Sequence, residues 1–162
     1  MVRGWLVIPD EDILMSKQIL VAVDGSEHAM RALAVACELA KAENRTLRLL
    51  HVVPSTEVPA GLKQYARVEH IHNPPEYLYE TALAEGVLNA ARDQALEAGA
   101  SNVECSVEHG DVARGILDTA AREHVDTIVI GTRGLSDMQG MVFGSIAHKV
   151  AHAADCRVIM VK

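Results

Sequence analysis

The sequence predicts a single-domain α/β fold, an open parallel sheet of five strands with helices on both faces. Five short apolar runs have the composition of strands, and helix-like segments fill every gap between them. Three of the runs are nearly continuous in aliphatic residues, which suits strands that are covered on both sides. Regular alternation of strand and helix calls for right-handed crossovers and a parallel sheet. The 162 residues are enough for one domain with a full core.

The third run differs from the others because its apolar and polar residues alternate strictly. We therefore expect that strand to have a more exposed face. The five predicted strands are Ile19–Val23, Leu47–Val53, Val103–Val107, Thr127–Ile130 and Val158–Val161.

Four helices are predicted from apolar spacing and boundary residues. The first has Glu27 early and Lys41 late, as the helix dipole prefers. The second is expected from about Glu76 to Ala98, between a Pro-Pro pair and Gly99. Asp111 caps the third, and the fourth starts near Gly144. The residues expected to face the core are Ala29, Ala32, Leu33, Ala36, Cys37 and Ala40 in the first helix, Ile116, Leu117 and Ala120 in the third, and Ile146, Val150 and Ala154 in the fourth.

Composition excludes several classes of function. The chain has 15 Lys and Arg against 22 Asp and Glu, a formal charge of −7, and only 3% aromatic residues. Nucleic-acid binding needs a cationic face and often stacking rings, so we expect no nucleic-acid partner. No apolar run approaches the roughly 20 residues of a membrane span, so we expect no membrane association.

The cysteines and the N-terminus predict a cytoplasmic protein. Cys37, Cys105 and Cys156 are odd in number and scattered, which fits reduced, buried thiols. The apolar stretch Trp5–Ile8 is too short for a signal peptide. We expect residues 1–16 to be a dispensable extension and residues 17–162 to form the domain.

A glycine-rich stretch, residues 131–145, follows the fourth strand at the edge where ligands bind in such sheets. Gly144 and Ser145 open a helix whose free amides favour an anion, while Thr132 and Arg133 offer a hydroxyl and a cation. No P-loop and no GxGxxG motif is present. From spacing alone, the alternative is a surface loop that ends in a helix cap.

The complete pattern resembles the nucleotide-binding branch of the universal stress protein family. In that branch the phosphate loop has two glycines three positions apart, then nine residues, then Gly followed by Ser or Thr. Gly131, Gly134, Gly144 and Ser145 match it. The segments Ile19–Ser26, Leu50–Val53 and Gly110–Ala113 are also typical, and the resemblance covers about residues 17–162.

The resemblance implies the strand order 3-2-1-4-5, an adenine-nucleotide alpha-hydrolase-like fold, and ATP or a related nucleotide (ADP or AMP), with Mg²⁺ as an optional companion. It implies a role in sugar and base binding for Asp24, contact of Val52 with the base, and backbone contact with the ribose at Ile130 and Gly131. The full implied site is Ala22, Val23, Asp24, Val52, Ile130, Gly131, Thr132, Arg133, Gly134, Gly144, Ser145 and Ile146. The family commonly dimerises through its last strand, here Arg157–Lys162, although Arg157 stands where relatives often have proline.

Some of these residues have plainer interpretations. Asp24 could instead cap the turn into the first helix, and Val52 could be ordinary strand core. His148 and His152 have zinc-ligand spacing, but we expect both on a solvated helix face, with no metal site. His70 and His72 carry a similarly weak signal, and Arg114 and Arg122 are expected on the outer face of their helix.

We expect a cytoplasmic stress-response protein in which a bound adenine nucleotide regulates shape or an unknown protein partner. No residue stands out as a base for water. Asp137, in the glycine-rich loop, could approach a metal–nucleotide complex or could equally face solvent. Binding without efficient turnover is therefore the prediction, with no catalytic residue named. The alternatives are a slow ATPase, or a dimeric stress protein that acts through protein contacts without nucleotide.

Overall fold

The fold is that of a computed structural model which describes residues 17–54, 75–135 and 144–162, with the backbone alone for residues 75–79. The predicted extension 1–16, His70, His72 and Asp137 lie outside the described residues. The strands are β1 (Gln18–Ala22), β2 (Thr46–Pro54), β3 (Val103–Gly110), β4 (Thr127–Gly131) and β5 (Arg157–Val161). The helices are α1 (Glu27–Glu43), α2 (Pro75–Glu97), α3 (Val112–Arg122) and α4 (Ser145–Ala153).

The five strands form one sheet in the order β3-β2-β1-β4-β5, which confirms the predicted topology. Every neighbouring pair is parallel. Strand β1 lies at the centre, where Val21 is in register with Leu49 of β2 and with Val129 of β4. Strand β2 therefore lies on one side of β1, and β4 lies on the other. The strand order reverses direction between β1 and β4, and this place is the switch point of the sheet.

Alternating residues of β1 supply the two cores. Ile19 and Val21 belong to the core packed by α1 and α2, whereas Leu20 belongs to the core packed by α3 and α4. All three side chains are fully buried. Burial of this kind on both faces explains why the β1 sequence is a continuous apolar run rather than an alternating one.

The helices begin and end close to the predicted residues. Ser26 caps α1, since its hydroxyl accepts a hydrogen bond from the Ala29 amide at 3.2 Å. Asp111 caps α3 as predicted and accepts from the Arg114 amide at 2.9 Å. In α4 the buried side chains are Ala147 and Val150, while the predicted core residues Ile146 and Ala154 are only half-buried. Leu117 of α3 is also only half-buried.

The expectation of three buried thiols is wrong for Cys105 and only partly met by Cys156. Cys37 is buried in α1, Cys156 is half-buried, and Cys105 is exposed. Cys105 lies on β3, an edge strand of the sheet, which has a neighbouring strand on one side only. Burial raises the pKa of the Cys37 thiol, which favours its neutral form.

A buried ion pair that sequence reasoning missed joins the amino ends of the central strands. Arg45, just after α1, is 5% exposed and pairs with Asp126, which is 4% exposed and precedes β4. Arg45 also donates to the carbonyl of Gln18 at 3.3 Å and to the Thr127 hydroxyl at 3.1 Å. Arg157 approaches the same aspartate at 3.3 Å. Burial lowers the pKa of the Arg45 guanidinium, because the charged form loses water.

None of the helices in the described ranges has both the length and the apolar character that a membrane crossing requires.

Candidate functional site

A cleft opens at the carboxyl ends of β1 and β4, at the switch point of the sheet. It contains about 490 Å³ of empty space, counting the part open to solvent. The residues around it are Ala22, Val23, Asp24, Ala29, Leu50, Val52, Val112, Ile116, Ile130, Gly131, Thr132, Arg133, Gly134, Ile146 and Ala147.

One wall of the cleft is apolar and is built where β2 meets α3. Val52 is 7% exposed, and Ile116 lies one helical turn after Val112 on the facing helix. Gly115 of α3 allows this packing, since a Cβ at that position would lie only 3.0 Å from a methyl group of Val52. The wall presents aliphatic surface suited to the face of a flat, apolar ring.

Asp24 supplies the carboxylate of the cleft and follows β1 directly. Its Oδ1 accepts from the Ser26 amide at 2.9 Å, and its Oδ2 accepts from the Leu135 amide at 3.0 Å. Asp24 therefore shapes the turn before α1, as one interpretation of the sequence held, and also lines the cleft, as the other requires.

Val23, beside Asp24, has its backbone polar groups held by β2. Its amide donates to the Leu50 carbonyl at 2.9 Å, and its carbonyl lies 2.8 Å from Nδ1 of His51. The edge of the cleft at the end of β1 is thus fixed by the neighbouring strand.

Gly131, the last residue of β4, allows α1 to approach the sheet. A Cβ on Gly131 would lie 2.8 Å from the backbone carbon of His28 and 3.0 Å from the Ala29 nitrogen. Both distances are below ordinary van der Waals contact, and both neighbours are backbone atoms that cannot rotate away. Only glycine fits between β4 and the first turn of α1.

Thr132 closes the base of the glycine-rich loop. Its amide donates to the Val161 carbonyl of β5 at 2.8 Å, and its own carbonyl accepts from the Gly144 amide at 2.6 Å. Its hydroxyl is directed towards α1, where it lies 3.5 Å from Nδ1 of His28. The second bond brings the start of α4 back to the end of β4, so both ends of the loop meet at the cleft.

Helix α4 starts at this closure. Gly144 is its N-cap and makes no side-chain capping bond to the first turn. Amides at such a helix end favour an anion, because they carry the positive end of the helix dipole. Ile146 and Ala147 line the cleft, whereas Ser145 is exposed.

The structure brings the predicted site residues together around one cleft. All of them line it except Gly144 and Ser145, which adjoin it at the start of α4. Sequence reasoning missed Ala29, Leu50, Val112, Ile116 and Ala147. A signal for two of these was available, because Val112 and Ile116 follow the Gly110–Asp111 turn at helical spacing.

The candidate metal ligands on α4 face solvent, as predicted. His148 and His152 are exposed and stack on each other with ring centroids 6.4 Å apart. Across residues 17–54, 75–135 and 144–162, no group of three or more His, Cys, Asp or Glu side chains is placed to hold a metal ion. Arg114 and Arg122 lie on the exposed face of α3, also as predicted.

Comparison with known proteins gives consistent matches over nearly the whole chain. The model of the universal stress protein family matches residues 15–162. Universal stress protein YxiE of Bacillus subtilis (strain 168) is 32% identical over 157 residues, which cover 91% of this chain and 100% of the relative.

Two solved structures share the fold at 25% sequence identity. Universal stress protein UspA from Lactobacillus plantarum superposes with a TM-score of 0.75 and covers 90% of this chain and 97% of its own. A universal stress protein in complex with cAMP has a TM-score of 0.63 and covers 90% and 96% of the two chains. Together with the five-stranded parallel sheet and the glycine-rich loop at its switch point, these matches show that the chain belongs to the universal stress protein family.

Proposed function

We propose that the protein binds an adenine nucleotide (ATP, ADP or AMP) in the cleft and acts as a nucleotide-dependent regulator. The observation that carries the proposal is the 2.6 Å bond between the Gly144 amide and the Thr132 carbonyl. It brings Gly131, Gly134, Gly144 and Ser145 to one place at the switch point, although they are spread over a long loop. The similarity to a family member solved with cAMP supports an adenine nucleotide as the ligand class.

The cleft offers a suitable surface to each part of such a ligand. The base would lie against the aliphatic wall at Val52, near Ala22 and Val23. The ribose would lie between the Asp24 carboxylate and the backbone of Ile130 and Gly131. The phosphates would meet Gly134 after β4 and Gly144, Ser145 and Ile146 at the start of α4, with Thr132 and Arg133 beside them. Mg²⁺ would come with the phosphates and be held by them.

The proposed role is regulation, because the cleft adjoins both the end of β2 and the loop after β4, so a bound ligand could contact both. Pro54, at the end of β2, lines a neighbouring cavity that shares Val112 and Ile146 with the cleft. A ligand that binds one conformation of the protein more tightly than another shifts the population of conformations. An unidentified protein partner would detect this shift. We further propose that residues 17–162 carry the function in the cytoplasm, as a homodimer through Arg157–Lys162, and that residues 1–16 are dispensable.

Calorimetric titration tests the proposal. The protein is stripped of nucleotide and titrated with ATP, ADP, AMP and cAMP, with and without Mg²⁺. Wild type should bind at least one of them with micromolar affinity, and a Gly144→Val/Ser145→Ala variant should lose that binding. Gly86→Ala is the control, since Gly86 lies on α2 and a Cβ there would have nothing within 4 Å, and it should bind as wild type does. A stripped, folded wild-type protein that binds none of the four would contradict the proposal.

Phosphate release from ATP by the same preparation separates binding from slow hydrolysis. We expect release no faster than in buffer. Release above that rate which disappears in the Ser145→Ala variant would instead establish the slow ATPase.

A further inference from the structure

The Asp24 carboxylate is held from two sides by parts of the chain that are distant in sequence. Its Oδ1 accepts from Ser26, at the start of α1, and its Oδ2 accepts from the Leu135 amide, 111 residues away on the glycine-rich loop. Hydrogen bonds from amides to an ionised carboxylate are among the stronger ones in proteins. Asp24 thus connects the end of β1 to the loop that follows β4, across the mouth of the cleft.

The Leu135 bond attaches the described part of that loop to the end of β1. Thr132 attaches it as well, to β5 through Val161 and to α4 through Gly144. Only Arg133 and Gly134 lie between the two attachments, and both line the cleft. The position of their backbone is therefore set at one end by β5 and α4, and at the other end by the side chain of Asp24.

We infer that Asp24 is a positioning residue for phosphate binding as well as a ligand for the sugar. By holding Leu135 it fixes the Arg133–Gly134 segment against the phosphates, and so links recognition of the two halves of the ligand. This inference rests on the proposed function and names how that site is organised. Each carboxylate oxygen retains a second lone pair, so a ribose hydroxyl can donate to Asp24 while the Leu135 bond stays in place.

A positioning role for Asp24 and simple electrostatics predict opposite changes in phosphate affinity when Asp24 is removed. A carboxylate near a phosphate repels it, so removing the charge of Asp24 should strengthen phosphate binding if charge were all that mattered. If Asp24 positions the loop, its removal should weaken phosphate binding. Coupling between two parts of a site is typically worth about 5-fold to 150-fold in affinity, so the difference is measurable.

Three variants isolate the bond. Leu135→Pro removes the donor amide and leaves Asp24 intact, and the preceding Gly134 can adopt the backbone conformations that a following proline requires. Leu135→Ala keeps the amide and removes only a side chain that is 74% exposed, so it is the matched control. Asp24→Ala removes the acceptor, and it still tests the inference should the proline variant fail to fold.

The measured quantity is the phosphate increment, the ratio of the dissociation constant for adenosine to that for ATP. We expect the ratio to fall at least about fivefold in Leu135→Pro and in Asp24→Ala, and to stay unchanged in Leu135→Ala. In the variant with both Leu135→Pro and Asp24→Ala, the two losses should not add, because they break one bond. An unchanged or increased ratio in Leu135→Pro or Asp24→Ala would overturn the inference while leaving nucleotide binding established. Wild type that binds neither ligand would instead overturn the proposed function.

Discussion

Glycine is favoured at position 131 for two reasons, close approach of a ligand and close packing of α1. The sequence pattern assigns it to the phosphate loop, where glycine allows close approach of a ligand. The structure adds a second reason, since α1 packs its backbone at His28 and Ala29 against the same position. Loss of this glycine should therefore cost stability even when no nucleotide is present, which a purely ligand-related role would not predict.

Gly131→Ala should lower the free energy of unfolding by about 1–3 kcal/mol, because the new methyl group overlaps backbone atoms of α1. Urea denaturation of nucleotide-free protein measures the change. Gly86→Ala is the matched control. Its Cβ meets nothing within 4 Å inside α2, so it should raise stability by about 0.5–1 kcal/mol. Equal effects of the two substitutions would contradict the packing role of Gly131.

Asp24 shows what residue-level sequence reasoning can and cannot reach. Its place after the first apolar run indicated a cleft residue, and the structure places it there. Its bond to Leu135 was not predictable, because the donor is a backbone amide and every non-proline residue has one. The side chain of Leu135 carries no information about that contact.

At the scale of elements, the strands and helices were predictable because periodicity and boundary residues agree along the chain. Ser26, Asp111 and Gly144 stand where α1, α3 and α4 begin. The order of the strands came from the family resemblance, since alternation of strand and helix leaves several parallel orders open. The exposure of Cys105 was missed because Val103, Cys105 and Val107 occupy alternate positions of the strand, so Cys105 is expected to be buried with the two valines. Strand β3 lies at the edge of the sheet, and this position exposes the Cys105 side chain.

The ion pair between Arg45 and Asp126 also lay beyond sequence reasoning. Arg45 follows the end of α1 and has the pattern of a solvated residue, and its partner is far away in sequence. The structure shows that the pair joins three elements, because Arg45 bonds to Gln18 of β1 and Thr127 of β4 while Arg157 of β5 shares Asp126. It fixes the ends of the strands opposite the cleft.

Asp126→Asn should lower the free energy of unfolding by about 3 kcal/mol, because it removes the buried charged partner of Arg45 and leaves the guanidinium only the exposed Glu43. The control is Asp118→Asn, which breaks the exposed pair with Arg114 on α3 and should cost less than about 0.5 kcal/mol. Chemical denaturation at neutral pH measures both. Similar costs for the two substitutions would show that the buried pair has no special weight.

On the scale of the whole molecule, the sheet has two different ends and an open edge. The proposed nucleotide cleft lies at the carboxyl ends of the strands. A second cavity lies towards the other end, between α3 and α4, next to His124 and Cys156.

Strand β5 forms one edge of the sheet, with Met160 41% exposed. The Arg157 amide donates to the Asp126 carbonyl, and the Val161 carbonyl accepts from the Thr132 amide. Backbone groups of successive residues in a strand point to opposite sides, so the amides of Val158 and Met160 point outward.

Met160→Pro should weaken the proposed dimer, because it removes an outward amide at the β5 edge while proline is tolerated in edge strands. Met160→Thr keeps the amide and controls for the lost side chain. Sedimentation velocity over a series of protein concentrations should give a dimer for wild type and Met160→Thr. For Met160→Pro, monomer should persist up to higher protein concentrations, because the dissociation constant of the dimer is larger. A wild-type protein that stays monomeric throughout would contradict dimerisation.

The most direct test of the account is where an adenine nucleotide binds on this chain. Backbone amide shifts of nucleotide-free protein, followed by NMR during titration with AMP, locate the site residue by residue. We predict the largest changes at Asp24, Gly131–Leu135 and Ser145–Ala147, with little change around His124 and Cys156. Changes centred on the second cavity, or no changes at saturating AMP and ATP, would contradict the assignment of the switch-point cleft as a nucleotide site.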